Sequence, residues 1–271
     1  MQEAIKQIVR EAIVKIIQDT TSESNVRRAV QLHEMKVHFV PAKYRVLGGL
    51  LQSLNIKFGN FIEKLIALVV EKDSNVEALP ESGGKVKFSM TARTDSLIDQ
   101  YITSRQLPGS PDQCDDLFEN LLKEIINTER QGDANKQIIT KDVDALFKTN
   151  QNQIIYLEIK YNDDHDTGKF VDINRKFIKT YAGLINHLGI EDISDIKPIL
   201  YYLNPIKRWG PIYVPSSHIY RGRQLFDEYF EIRYEDVDEY LRNLSDDESI
   251  MAIFDELYQS IRYDAKHPDL L

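Results

Sequence analysis

Residues 142–160 run DVDALFKTNQNQIIYLEIK. Two short apolar runs, Val143–Phe147 and Ile154–Lys160, flank the polar stretch Lys148–Gln153, which is the pattern of a β-hairpin. A loop symmetric about Gln151 sets Asp144 opposite Glu158, and Asp142 opposite Lys160. Side chains alternate along a strand, so Glu158 and Lys160 share one face while Ile155, Leu157 and Ile159 point the other way into a core. Opposed residues of such a pair have Cβ atoms roughly 4.5–5.5 Å apart, and like charges placed there repel. Two carboxylates at that spacing favour a cation between them, and a hard divalent ion with oxygen ligands, Mg2+ above all, meets the demand. The competing reading is a solvated sheet face with Asp142 and Lys160 as a surface pair. The apolar alternation around Glu158 favours the metal, because a charged residue on an otherwise buried strand is unusual.

The chain has 271 residues, 42% of them hydrophobic, enough to support a sizeable core. One cysteine, Cys114, excludes a disulfide framework and a cysteine-based zinc site, and suits a reducing cytosol. The first residues lack the apolar core and cleavage site of a signal peptide, and no apolar run approaches the roughly 20 residues of a membrane span. The expected setting is therefore cytoplasmic, with no membrane partner. Net charge is −9, which taken alone argues against a nucleic-acid partner. The charge is uneven, however. Lys169, Arg175, Lys176, Lys179, Lys197, Lys207, Arg208, Arg221, Arg223 and Arg233 crowd one stretch, and acids gather in Asp112–Glu129 and beyond Glu235. Screening limits distant charges to about 8–10 Å, so a local basic groove in an acidic protein still binds phosphates.

Around the hairpin the periodicity predicts an α/β (α+β) domain, helices around a mixed sheet. Residues 1–19 read as an amphipathic helix with Ile5, Ile8, Val9, Ala12, Ile13 and Ile16 inward. A second helix is predicted over 25–35, and a long apolar one, bent near Gly59, over 46–70. Glu77–Gly84 reads as a loop. Ser110-Pro111-Asp112-Gln113 is a helix start, with the helix running to about Arg130. After the hairpin, a polar loop at 161–169 leads into a helix over 171–188 with Ile173, Phe177, Tyr181, Leu184 and Leu188 inward. Strands are predicted at 198–203 and 212–214. A capping box at Ser245–Glu248 opens a terminal helix over 246–262. With no internal repeat or linker, the chain reads as a single domain over 1–271. It divides into a mainly helical part (1–130), a sheet-bearing part (131–235) and a C-terminal helix (236–271).

Glu63 lies among apolar neighbours on the long helix, where an unpaired charge is costly; it supplies a further acid to a metal site, pairs with Lys64, or faces water. The cluster Asp163-Asp164-His165-Asp166 reads as a solvated loop before it reads as a second metal site. Lys160, beside two carboxylates and a metal, is placed to orient a water and steady charge on a phosphate. Nearby acids raise its pKa, so acting as a general base needs metal ions to offset them. Arg208-Trp209-Gly210 and Tyr220-Arg221-Gly222-Arg223 put basic groups among aromatics and turn formers, which suits phosphate or guanine contacts.

Asp144 followed by Glu158-Ile159-Lys160 is similar to the catalytic core of the PD-(D/E)XK nuclease superfamily, although Val143 stands where that pattern has a proline. The wider order resembles the HinfI/TdeIII group of type II restriction endonucleases over about two-thirds of the chain. It comprises Tyr44-Arg45-Val46-Leu47-Gly48, Ser53-Leu54-Asn55, Phe58-Gly59, Glu63, the hairpin, Gly168-Lys169-Phe170 and Arg208-Trp209. The resemblance implies a restriction-endonuclease-like core with a mixed central sheet flanked by helices and an N-terminal helical region. It implies that Asp144 and Glu158 bind Mg2+, that Lys160 is the catalytic lysine and that Glu63 completes the site. Lys169, Arg175, Lys179, Lys207, Arg208, Arg221 and Arg223 are the expected DNA contacts. It further implies a homodimer that cuts double-stranded DNA at a short symmetric site with an unspecified central base, GANTC-like or GGNCC-like. Such an enzyme leaves 5′-phosphate ends and works beside a protecting DNA methyltransferase. Two alternatives stay open: a structure-selective repair nuclease of the same fold, and a non-catalytic interaction domain.

Overall fold

The hairpin forms with the register its turn symmetry requires. In the computed structural model, strand β4 (Ala145–Thr149) pairs antiparallel with β5 (Ile154–Lys160), Leu146 opposite Tyr156 and Phe147 opposite Ile155. Asn152 closes the turn at φ 64°, a left-handed conformation that asparagine tolerates. Residues 3–34, 39–107, 114–132 and 136–264 are described, and the helix start expected at Ser110–Gln113 lies outside them.

By compactness the chain forms two units. The first comprises residues 1–61 and 235–271 and is helical: α1 (Glu3–Thr21), α2 (Glu23–Glu34), the first part of α3 (Ala42–Lys72), α8 (Tyr234–Ser245) and α9 (Glu248–Asp264). Its α1 buries Ile5, Val9, Ile13 and Ile17, a stripe at every fourth residue, and leaves expected core residue Ile8 exposed. The expected capping box also shifts. Ser245 ends α8, and Asp247 caps α9 by accepting from the N–H groups of Ser249 and Ile250.

The second unit, residues 62–234, contains a five-stranded mixed sheet in the order β1-β4-β5-β6-β7. Strands β1 (Val76–Ala78) and β4 run antiparallel to their neighbours; β5, β6 (Ile196–Tyr202) and β7 (Ile219–Arg221) are parallel. Helix α6 (Thr167–Leu188) links β5 to β6, as a parallel pair needs, with Asp166 capping its start. Tyr156 of β5 stacks on Phe177 of α6, ring centroids 5.6 Å apart. Every residue from Ile155 to Ile159 is buried, so the expected split into core and solvent faces does not hold; helices cover what the hairpin alone leaves open.

Two further differences share one cause, competition between partners for backbone and side-chain groups. Asp142 does not face Lys160. It belongs to β3 (Lys136–Val143), whose eight pairs with β2 (Gly84–Thr91) form a separate antiparallel sheet, Asp142 opposite Lys85. The chain passes from one sheet to the other at Asp144. Residues 212–214 form no strand, because side chains of α4 (Ala92–Gln106) take their carbonyls: Arg105 binds that of Ile212 and Tyr101 that of Tyr213. Helix α4 itself goes unpredicted. Its cap is Thr91, held by the buried Glu129 of α5 (Cys114–Gln131).

Gly183 on α6 lies against Phe88 of β2 so closely that an added Cβ meets the Phe88 Cγ at 2.6 Å. Gly183→Ala is expected to cost about 1–3 kcal/mol, only partly offset by alanine's helix preference. A Tm lower by several degrees checks this, and an unchanged Tm means that Phe88 has room to move. His218 lies edge-on to Phe118, its Nδ1 2.7 Å from the Pro198 carbonyl oxygen, and burial pushes its pKa below the ordinary 6.5. The unfolded ring takes up a proton at 6.5 while the folded one stays neutral. Its contribution is therefore fully present above pH 6.5 and declines as pH falls below it. Denaturation midpoints compared at about pH 7.5 and 5.5 should drop more for the wild type than for His218→Gln.

Candidate active site

Strand β5 ends in Glu158-Ile159-Lys160, and the break between β3 and β4 brings Asp144 alongside it. Asp144 Oδ2 accepts from the Ile159 N–H at 2.8 Å, which fixes the carboxylate against the strand. Glu158 is fully buried, and its Oε2 accepts from the Tyr156 hydroxyl at 3.1 Å. The Lys160 Nζ sits among four oxygens: Ile159 O at 2.5 Å, Glu158 Oε1 at 2.8 Å, Glu63 Oε1 at 3.3 Å and Asp144 Oδ2 at 3.4 Å. Asp144, Glu158, Lys160 and Glu63, the four expected catalytic residues, are thus brought together. Glu63 pairs with Lys160 and not with its helix neighbour Lys64.

A fifth member was not expected. Lys176 of α6 places its Nζ 2.8 Å from Glu158 Oε1 and 3.5 Å from Asp144 Oδ1. The sequence does carry a signal for it. Lys176 stands three residues after Ile173 and four before Thr180, both buried, so it falls on the inward stripe of the helix.

The electrostatics follow from the distances. Burial raises the pKa of Asp144 first, and the charge on Glu158 raises it further, against the pull of Lys160 and Lys176. For Glu158, burial acts the same way, but both ammoniums are closer and hold its carboxyl below the usual range. Burial lowers Lys160, yet Glu158, Asp144 and Glu63 outweigh it and keep the ammonium protonated.

Among the described residues, no three acidic, histidine or cysteine side chains stand ready to hold a metal as they are. Ammonium groups stand between the carboxylates instead. The donor set nevertheless fits a hard cation: two buried carboxylates and the Ile159 carbonyl already surround a positive charge, and Mg2+ needs only one or two carboxylates beside waters and phosphates.

The expected DNA contacts fall into three groups. Lys169, Lys207 and Arg208 are exposed near the end of β5, Arg208 bonding Asp164 and the His165 carbonyl. Arg221 is mostly covered and donates to Asp163 Oδ2 at 2.8 Å. Arg175 and Lys179 are engaged by Asp95 and Asp99 of α4, and Arg223 by Asp227 one turn on along the short helix α7 (Arg223–Tyr229). Asp163 takes a structural part but is buried, and not solvated as its loop reading expected. Burial opposes its charge, but the N–H groups of Trp209 and Arg208 and the Arg221 guanidinium hold its carboxyl below the usual range.

Residues 1–245 match the family described as type II restriction endonuclease, HinfI. The chain is also 44% identical over 265 residues to the type II restriction enzyme HinfI of Haemophilus influenzae, covering 96% of this chain and 98% of that enzyme. No solved structure matches. The mixed sheet flanked by helices is the architecture that the resemblance implied. The chain belongs to the HinfI family of type II restriction endonucleases, which are site-specific deoxyribonucleases.

Proposed function

We propose that this chain cuts both strands of DNA at a short (pseudo)palindromic site with an unspecified central base, in a Mg2+-dependent reaction that leaves 5′-phosphate ends. The observation that carries the reading is the Lys160 ammonium held within 3.4 Å of both Asp144 and Glu158 at the end of β5. The 44% identity to HinfI supports a GANTC-like site over a GGNCC-like one.

In this reading Asp144, Glu158 and the Ile159 carbonyl would hold Mg2+, and Glu63 would keep Lys160 beside them. The chemistry that the ion supplies when bound is to lower the pKa of a coordinated water and polarise the scissile phosphate. Lys160 stays an ammonium and offsets the charge that grows on the phosphate in the transition state, acting as a fixed charge and not as a base. Lys169, Lys207 and Arg208 meet backbone phosphates, while Arg221 acts through Asp163 by holding the loop that carries Arg208. Arg175, Lys179 and Arg223 reach DNA only by exchanging their carboxylate partners for phosphate. A homodimer matches the two-fold symmetry of such a site, and a partner methyltransferase protects host DNA in the cytoplasm. No helix among the described residues is long and apolar enough to cross a membrane.

Phage DNA incubated with the wild-type protein and Mg2+ should give discrete fragments whose mapped ends share one site, and EDTA should stop the reaction. Lys160→Ala and Asp144→Asn should each cut at least about 100-fold more slowly. Lys160→Ala should still shift a cognate duplex in a gel with affinity within a few-fold of wild type. A Lys160→Ala protein that cuts at the wild-type rate removes Lys160 from the mechanism.

A further inference from the structure

Lys176 approaches the acidic pair from α6, whereas Lys160 reaches it from the end of β5. The two ammoniums divide the carboxylate oxygens between them. Both meet Glu158 Oε1 at 2.8 Å; Lys160 takes Asp144 Oδ2 and Lys176 takes Asp144 Oδ1. Two positive centres bridging two carboxylates are what a two-metal phosphodiesterase site provides with ions roughly 3.5–4 Å apart.

The two lysines differ in what else holds them. Lys160 has Glu63 to lean on when it leaves the carboxylates. The ion pairs of Lys176 are with Asp144 and Glu158, and the helix around it is anchored by the buried Ile173, Phe177 and Thr180. Charge points the same way. Three carboxylates and two ammoniums leave a single formal negative charge, which one divalent ion more than balances. A second ion would have to share Glu158 Oε1 and Asp144 Oδ1 with an ammonium that already occupies them.

We propose that Lys176 fills the place of a second divalent cation, so that each active site takes one metal ion and Lys176 supplies the other positive charge. This rests on the nuclease reading above and adds the stoichiometry of its metal. The test counts Mn2+ bound to the intact protein by electron paramagnetic resonance, alone and with an uncleavable phosphorothioate duplex, the duplex by itself serving as blank. One ion per chain is expected for the wild type and for Lys176→Arg. Two are expected for Lys176→Gln, whose cleavage should also steepen from first toward second order in Mg2+. Two ions in the wild type or in Lys176→Arg overturn the proposal, as does a single ion in a Lys176→Gln protein with a wild-type circular dichroism spectrum. If Lys176→Gln fails to fold, the counts for the other two proteins decide. Absence of cutting by the wild type on any DNA defeats the nuclease reading, whereas the ion count stands apart from cleavage.

Discussion

Two carboxylates buried side by side repel each other and lose the water that would solvate them, so the sheet holds Asp144 and Glu158 only by bringing cations to them. Isolated burial of either charge costs several kcal/mol. Opposite unit charges 4 Å apart recover about 4 kcal/mol where the effective dielectric constant is near 20. Here each ammonium stands at 2.8–3.5 Å from both acids. The remaining capacity is met locally, by the Ile159 N–H on Asp144 and the Tyr156 hydroxyl on Glu158. The interruption between β3 and β4 at Asp144 is part of this arrangement. At this bend the Asp144 carboxylate, and not a backbone carbonyl, accepts from the Ile159 N–H.

Satisfying hydrogen bonds is not the same as balancing charge. The two lysines lie nearer Glu158 than Asp144, so Glu158 keeps its charge easily and Asp144 does not. With Glu63 counted, three carboxylates face two ammoniums, so the cluster is fully partnered yet short of one positive charge, the condition in which a further cation is welcome. A purely structural salt-bridge cluster would gain from neutrality and have no use for that shortfall. Perturbation of this kind in a cluster at the end of parallel strands, where α/β folds place their chemistry, supports the active-site reading proposed above.

The hairpin and the three residues on it were legible because both signals are local. Strand alternation and a symmetric turn fix the register, and Asn152 can take the turn conformation the symmetry needs. Helix α6 was legible for the same reason, its inward stripe repeating over many turns. What escaped were features decided by distant competitors. Asp142 reads as part of the hairpin, opposite Lys160, yet β2 offers its strand eight pairings that no local pattern announces. Residues 212–214 have strand character, yet two α4 side chains claim their carbonyls first. Lys176 lies far from Lys160 along the chain, and only the β5-α6-β6 crossover brings the two ammoniums to the same carboxylates.

In the proposed reaction the substrate backbone has to be registered against Lys160, and Asp163 ties the strand end that carries that lysine to the loop proposed to meet phosphates. It lies three residues beyond Lys160 and is almost wholly buried. One oxygen, Oδ2, accepts from the N–H groups of Arg208 and Trp209 and from the Arg221 guanidinium. Trp209 then stacks on Phe170 in the first turn of α6 at 4.9 Å, and Arg221 lies over the Tyr202 ring at 4.5 Å. The loop proposed to meet phosphates is thus fastened to the strand end that carries the lysine and to the helix that carries Lys176. Misplacement by about 1 Å costs a reaction of this kind on the order of 100-fold, so a loop built to aim a phosphate at Lys160 has to share its frame. A buried carboxylate with three donors is a rigid way to impose that, because moving the loop would strand a charge without water.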